Sequence, residues 1–205
     1  MQARRSYTPL IVIGVVVLLV LWWVGSAYNS LVTLSQAVDS QWGQVQSVYQ
    51  RRADLVPNLV NTVKGAANFE KSTYTAVTQA RAQVGQMSPS AVQNAPNDPK
   101  AFQQYAAAQN QLGSTLSRLL VTVEAYPDLK ATSNFATLQS ELEGTENRIS
   151  VERMRYNQAA QAFNTKRDTA PTVFIANFFG PKFADKTYFQ SQPGAETAPT
   201  VNFTP

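Results

Sequence analysis

Apolar positions along this chain form two kinds of run. From Leu10 to Val24 they are continuous apart from Gly14 and close on Trp22 and Trp23; from Leu31 onward they recur every third or fourth residue. Extended to Tyr28, the continuous run is about 19 residues, close to the roughly 20 that cross a bilayer as a helix. Residues 10–28 are therefore read as a transmembrane helix. Trp22, Trp23 and Tyr28 suit its outer interfacial belt.

The recurring positions predict helices. Leu31, Leu34, Val38, Trp42, Val45, Val48 and Tyr49 mark one over about 28–52, and Val56, Leu59, Val63, Ala67, Tyr74 and Val77 a second over about 55–84. Phe102, Tyr105, Gln109, Leu112, Leu116, Leu119 and Val123 mark a third over about 99–125, with Gln109 a polar interruption. Phe135, Leu138, Leu142, Thr145, Ile149, Glu152, Tyr156, Ala159 and Phe163 mark a fourth over about 132–167, with Thr145 and Glu152 polar. Spacing near 3.5 implies left-handed, coiled-coil-like packing. The fold class expected is all-α: an N-terminal transmembrane helix followed by an up-and-down antiparallel four-helix bundle over residues 28–180.

Boundaries come from turn chemistry. Asp98-Pro99 is an N-cap followed by a first-position proline. Tyr126-Pro127 stops helix three, since the residue before proline disfavours the helical region. Pro57 is harder to place, because a mid-helix proline costs about 3 kcal/mol. Asp54 stands three residues earlier and is a good N-cap, so the chain is expected to reverse near Asp54 and start a new helix. An unbroken helix over 28–84 would be about 85 Å long, against about 40 and 50 Å for the later ones. That mismatch favours reversal; a single helix kinked at Pro57 is the competing reading. A short apolar helix, 171–179, follows, and 181–205 reads as a flexible polar tail.

Composition narrows the chemistry. The 205 residues include no cysteine and no histidine. That excludes cysteine nucleophiles, Cys/His zinc sites, Ser-His-Asp triads and histidine-held haem. Net charge is +4, but Arg4 and Arg5 precede the apolar run and leave 15 basic against 13 acidic residues beyond it. So balanced a surface carries no nucleic-acid footprint. The same two arginines place residues 1–9 in the cytoplasm and the bundle outside, by the positive-inside bias. A cleaved signal peptide is the alternative, with Gly25-Ser26-Ala27 as a small-residue cleavage site.

Three blocks then resemble the LemA family of bacterial envelope proteins. The first is Arg51-Arg52-Ala53-Asp54-Leu55-Val56-Pro57-Asn58-Leu59-Val60 through Val63-Lys64-Gly65, with Glu70 and Ala80-Arg81-Ala82 beyond. The second is Glu124-Ala125-Tyr126-Pro127-Asp128-Leu129-Lys130-Ala131. The third is Phe135, Leu138-Gln139, Leu142-Glu143-Gly144-Thr145-Glu146-Asn147-Arg148-Ile149, Arg153 and Tyr156-Asn157. The chain departs from the family pattern at Ala66, usually aromatic, at Phe69, usually histidine, and at Ala170-Pro171, usually Phe-Pro. The resemblance implies a single-pass anchor and an extracytoplasmic four-helix bundle. It brings no assigned enzymatic activity.

The polar residues of these blocks read two ways. Arg51, Arg52 and Asp54 at the expected turn, with Glu141, Glu143, Glu146 and Arg148 on helix four, would form either a site or an ion-pair network that sets helix register. The network is the preferred reading. Glu143 and Glu146, three apart on a helix, would bind a divalent cation or do acid–base work only if freed from neighbouring Arg148 and Arg153. Gly144 is read as room for a bulky neighbour such as Trp42. Phe174, Ile175, Phe178 and Phe179 form a candidate interaction patch, or else the cap of the bundle.

No catalytic, cofactor or metal residues are assigned. The expected role is a non-enzymatic, membrane-anchored scaffold or adaptor of the envelope. Its partners would be the lipid bilayer through 10–28 and other envelope proteins or copies of itself, with no nucleic acid. A metal- or ligand-binding or enzymatic site on Glu143, Glu146 and the arginines, and an envelope signalling accessory, are the alternatives.

Overall fold

The computed structural model describes residues 8–65 and 70–190. Helix α1 runs Thr8–Lys64, α2 Lys71–Gly85, α3 Pro89–Asn94, α4 Pro99–Val123, α5 Pro127–Lys130, α6 Ser133–Asp168 and α7 Thr172–Phe179. Short 3-10 turns follow α3 (Ala95–Asn97) and α7 (Gly180–Phe183). No strand occurs among the described residues. Arg4, Arg5, Ala66, Ala67, Phe69 and residues 191–205 lie outside them, and with them most of the expected tail.

The first correction concerns Pro57. The chain does not reverse near Asp54: α1 continues through Pro57 to Lys64 as one helix of 57 residues. Asp54 is not a cap. Its carboxylate accepts from Gln50 Nε2 at 2.7 Å on the same helix. The proline removes the N–H that would bond the Ala53 carbonyl, four residues back. That carbonyl instead accepts from Arg81 Nε, on α2, at 2.9 Å. A donor from another helix thus replaces the missing backbone bond, which no local rule anticipates. The first helical stretch closes at Gly65, whose N–H reaches the Asn61 and Thr62 carbonyls. The rod ends at Lys64, and Lys71–Gly85 forms a separate helix, so the length of about 85 Å expected for an unbroken helix over 28–84 does not arise. Residues 28–64 are about 55 Å long, which the 36 residues of α6 match at about 54 Å.

Contacts fix the topology. Trp42 meets Tyr156 and Arg52 meets Glu146, so α6 runs antiparallel to α1. Trp42 meets Phe102 and Arg52 meets Gln109, so α4 runs parallel to α1. Lys64 lies over Tyr74 while Arg81 reaches Ala53, so α2 runs antiparallel. The result is an up-and-down antiparallel four-helix bundle of α1, α2, α4 and α6. Asp98 caps α4 by accepting from the N–H groups of Lys100 and Ala101.

The core divides in two along the bundle. The distal half packs Val56, Leu59 and Val63 of α1 against Val77, Leu112, Leu116, Leu119, Phe135 and Leu142. The other half is aromatic, with Trp42 5.4–5.5 Å from Phe102, Tyr105 and Tyr156 and 6.0 Å from Phe189, ring centre to ring centre. It extends to Ala27 and Leu31, packed with Phe163, Ile175, Ala176 and Phe183. Leu10–Trp22 carries exposed apolar side chains. The helix that carries it is, by length and composition, long and apolar enough near its N-terminal end to cross a membrane.

The second correction concerns residues 181–190, expected to be flexible. Residues 181–183 finish the 3-10 turn, and 184–190 form a strap packed on the bundle. Asn157 and Asn164, two turns apart on α6, each grip one strap residue through both its N–H and its carbonyl: Phe189 and Lys186, all at 2.9 Å. Each amide thereby acts like one rung of a β-ladder. Tyr156 adds its hydroxyl to the Thr187 carbonyl. Phe183 and Lys186 are buried.

Candidate functional site

Between the two halves of the core lies a layer of polar side chains. Arg52 occupies it at 2% exposure, a position the stripe of α1 would otherwise give to an apolar residue between Tyr49 and Val56. Its Nη1 pairs with Glu146 at 2.9 Å. Its Nη2 donates to the Gln109 carbonyl at 2.7 Å and the Gln109 Oε1 at 2.6 Å. Arg52 Nε has no partner among the described residues. The guanidinium also sits 5.2 Å from the Tyr49 ring centre. Arg153 completes the layer, donating Nε to the Tyr49 hydroxyl at 2.6 Å and Nη2 to Asn110 at 2.8 Å.

Glycine makes room for this arrangement, but it is not Gly144. Gly144 is exposed and a Cβ there would meet nothing within 4 Å, so it does not admit Trp42. The glycine that matters is Gly113 on α4, where a Cβ would stand 3.1 Å from Arg52 Nη1. Nothing in the sequence marks Gly113, because the side chain it accommodates is 61 residues away.

Burial sets the electrostatics. It pushes the Tyr105 phenol up to about 12, helped by neighbouring Tyr49. It raises Tyr49 too, against the opposing pull of Arg153. Both phenols stay neutral at physiological pH, so they serve as hydrogen-bonding groups and not as bases. Lys186, buried with its ammonium 2.6 Å from Asn97 Oδ1, is lowered by loss of solvent.

The residues singled out from the sequence are dispersed. Arg52, Glu146 and Arg153 join the layer; Arg51, Asp54, Pro57 and Asn58 are exposed on α1. Lys64 and Gly65 close α1, and Tyr126 and Pro127 turn the chain into α5. Glu143 is exposed and accepts from Gln139 on its own helix, while Asn147 and Arg148 are exposed. Glu143 and Glu146 therefore share no ligand position. No cluster of three metal-ligating side chains occurs among the described residues. Tyr156 and Asn157 hold the strap. In the candidate patch, Ile175 is buried and Phe174, Phe178 and Phe179 are exposed.

The sequence placed Arg52 and Glu146 in one ion-pair network, and the two do pair; it did not bring in Gln109, Asn110 or Tyr49. The signal was present: Gln109 and Thr145 interrupt the stripes of their helices, and both are 1% exposed at the level of Arg52. Three polar interruptions in three stripes meet at one height.

A four-helix bundle whose buried arginine is held by side chains of neighbouring helices, carried on a helix that begins with an exposed apolar run, defines a membrane-associated helical-bundle protein. The profile of the LemA family matches residues 41–203, and the chain belongs to that family. Magnetosome protein MamQ 2 of Paramagnetospirillum magneticum is 26% identical, the match covering 83% of this chain and 67% of that relative. Magnetosome protein MamQ of Magnetospirillum gryphiswaldense is 25% identical with the same coverage. Protein LemA of Metamycoplasma hominis is 25% identical over 72% of this chain and 63% of its own.

Proposed function

We propose that this protein is a non-enzymatic scaffold or adaptor of the bacterial cell envelope. It is anchored in the inner membrane by residues 10–28, with the N-terminus in the cytoplasm and the bundle outside. It works through contacts with other envelope proteins or with copies of itself. One observation carries the reading. The side chains most able to do chemistry, Arg52, Glu146 and Arg153, are engaged by Gln109, Tyr49 and Asn110 in a layer that ties three helices together. Such polar layers set helix register in bundles. The alternative metal or ligand site on Glu143 and Glu146 finds less support, since one carboxylate is paired with Arg52 and the other bonds along its own helix.

The test is the mass of the full-length protein in mild detergent, by light scattering, beside a chain starting at Leu31. A discrete oligomer for the first and a monomer for the second supports self-assembly through the anchor region. Two monomers point to a different protein as partner, to be sought by cross-linking. A catalytic turnover in the purified protein that is lost in Glu143→Gln or Glu146→Gln overturns the reading.

A further inference from the structure

Helix α7 carries two apolar faces. Thr172, Ile175 and Ala176 face the bundle and are buried. Phe174 and Phe178, four apart and so on one side of the helix, face outward at 72% and 84% exposure. Phe178 is more exposed than any residue of the apolar run, where Trp22 reaches 73%. Scattered exposed apolar side chains are ordinary, but two phenylalanines on one face of an eight-residue helix without a charge form a patch.

The position of α7 identifies what covers the patch. Leu10 to Tyr28 measures about 27 Å along α1, close to the roughly 30 Å of a hydrocarbon core. Tyr28 therefore stands at the outer boundary when residues 10–28 cross the bilayer, and this inference rests on that reading. No spacer separates span from bundle, because Ala27 is already buried in the core and Trp23 and Val24 pack against it. Phe179 lies 4.9 Å and Phe183 5.6 Å from the Tyr28 ring, centre to centre. Phe178 packs edge-on against Phe179 at 5.3 Å. Lys182 donates to the Tyr28 hydroxyl, with its ammonium 4.8 Å from the ring centre. An aromatic chain thus links the exit point of the span to the exposed face of α7. A cation lies beside it, at the height where phospholipid headgroups lie.

We propose that α7 is a second membrane contact. Phe174 and Phe178 insert into the interfacial layer of the same bilayer that the span crosses, with Lys182 at the headgroups. A short apolar helix lying in the interface is held by its buried apolar area. Two points of attachment fix the tilt of the bundle on the membrane, where a single helix would leave it free to lean.

The absence of native cysteine makes the test direct. Full-length F174C, F178C, V16C and S140C, each carrying a nitroxide, are reconstituted in vesicles of phosphatidylcholine and phosphatidylglycerol. Collision with oxygen, which concentrates in lipid, is compared with collision with a water-soluble nickel chelate. The ratio is expected to be several-fold higher at 174 and 178 than at 140, and highest at 16. If position 16 reads as lipid while 174 and 178 match 140, the second contact is refuted and the span stands. If position 16 also matches 140, the spanning reading fails and α7 with it. If 174 and 178 are shielded from both reagents, a protein surface covers them and the lipid assignment is overturned.

Discussion

The continuity of α1 through Pro57 makes a sharp prediction. Pro57 is exposed, so Pro57→Ala alters no packing while restoring a backbone N–H. Proline inside a helix is about 3 kcal/mol worse than alanine. Part of that cost is offset here by the bond from Arg81 to the Ala53 carbonyl, so P57A should stabilise by about 2 kcal/mol. Arg81→Met removes a charge-assisted bond of 2.9 Å. The site is exposed and water replaces the donor, so the loss is about 1 kcal/mol, below the usual 1.5–3. In the P57A background the carbonyl is bonded within its own helix and Arg81 becomes redundant. R81M should then cost only a few tenths, a coupling of about 0.5–1 kcal/mol. The assay is urea unfolding of the full-length protein in nonionic detergent, followed by tryptophan fluorescence, with Trp42 in the aromatic cluster reporting on the bundle. Equal cost of R81M in both backgrounds would refute the reasoning, and so would destabilisation by P57A.

Other outcomes follow from the polar layer. Glu146→Leu leaves a guanidinium at 2% exposure with neutral acceptors, whereas Arg52→Met leaves a carboxylate that is 42% exposed and able to rehydrate. E146L should therefore cost more, about 3 kcal/mol against about 2, although Glu146 is the less buried partner; the same unfolding assay ranks them. Gly144→Ala should stabilise by up to about 1 kcal/mol through helix propensity. Gly113→Ala should lose that gain, because the new methyl meets Arg52 Nη1 at 3.1 Å. Tyr105 titrates near 10 when unfolded and about 12 when folded, so the folded state holds its proton longer. Its contribution is complete below pH 10 and is lost as pH rises towards 12, on the order of 2–3 kcal/mol. Tyr105→Phe should flatten that alkaline loss in a pH series of unfolding midpoints.

Periodicity alone carried the all-α class, the apolar run and the bundle, because a helix reports its buried face every three or four residues whatever it packs against. Asp98 and Pro99 at the start of α4 were equally legible, since a cap is local chemistry. Where the reading failed, the deciding partner lay far along the chain. Asp54 and Pro57 look like a helix start until Arg81, 28 residues beyond Ala53, supplies the donor that the Ala53 carbonyl lacks. The strap over 184–190 has a polar, proline-flanked composition that reads as loose, and Asn157 and Asn164 hold it by bonds no local rule encodes. Gly144 drew attention and Gly113 did not, though only Gly113 has a neighbour that needs the space. Of the layer, the arginine and the glutamate were legible as members of one network, but among several candidate charges, and the glutamine was visible only as an interruption of its own stripe. Their meeting at one height depends on helix register, which packing of the whole bundle sets and a stripe of apolar residues on one helix does not.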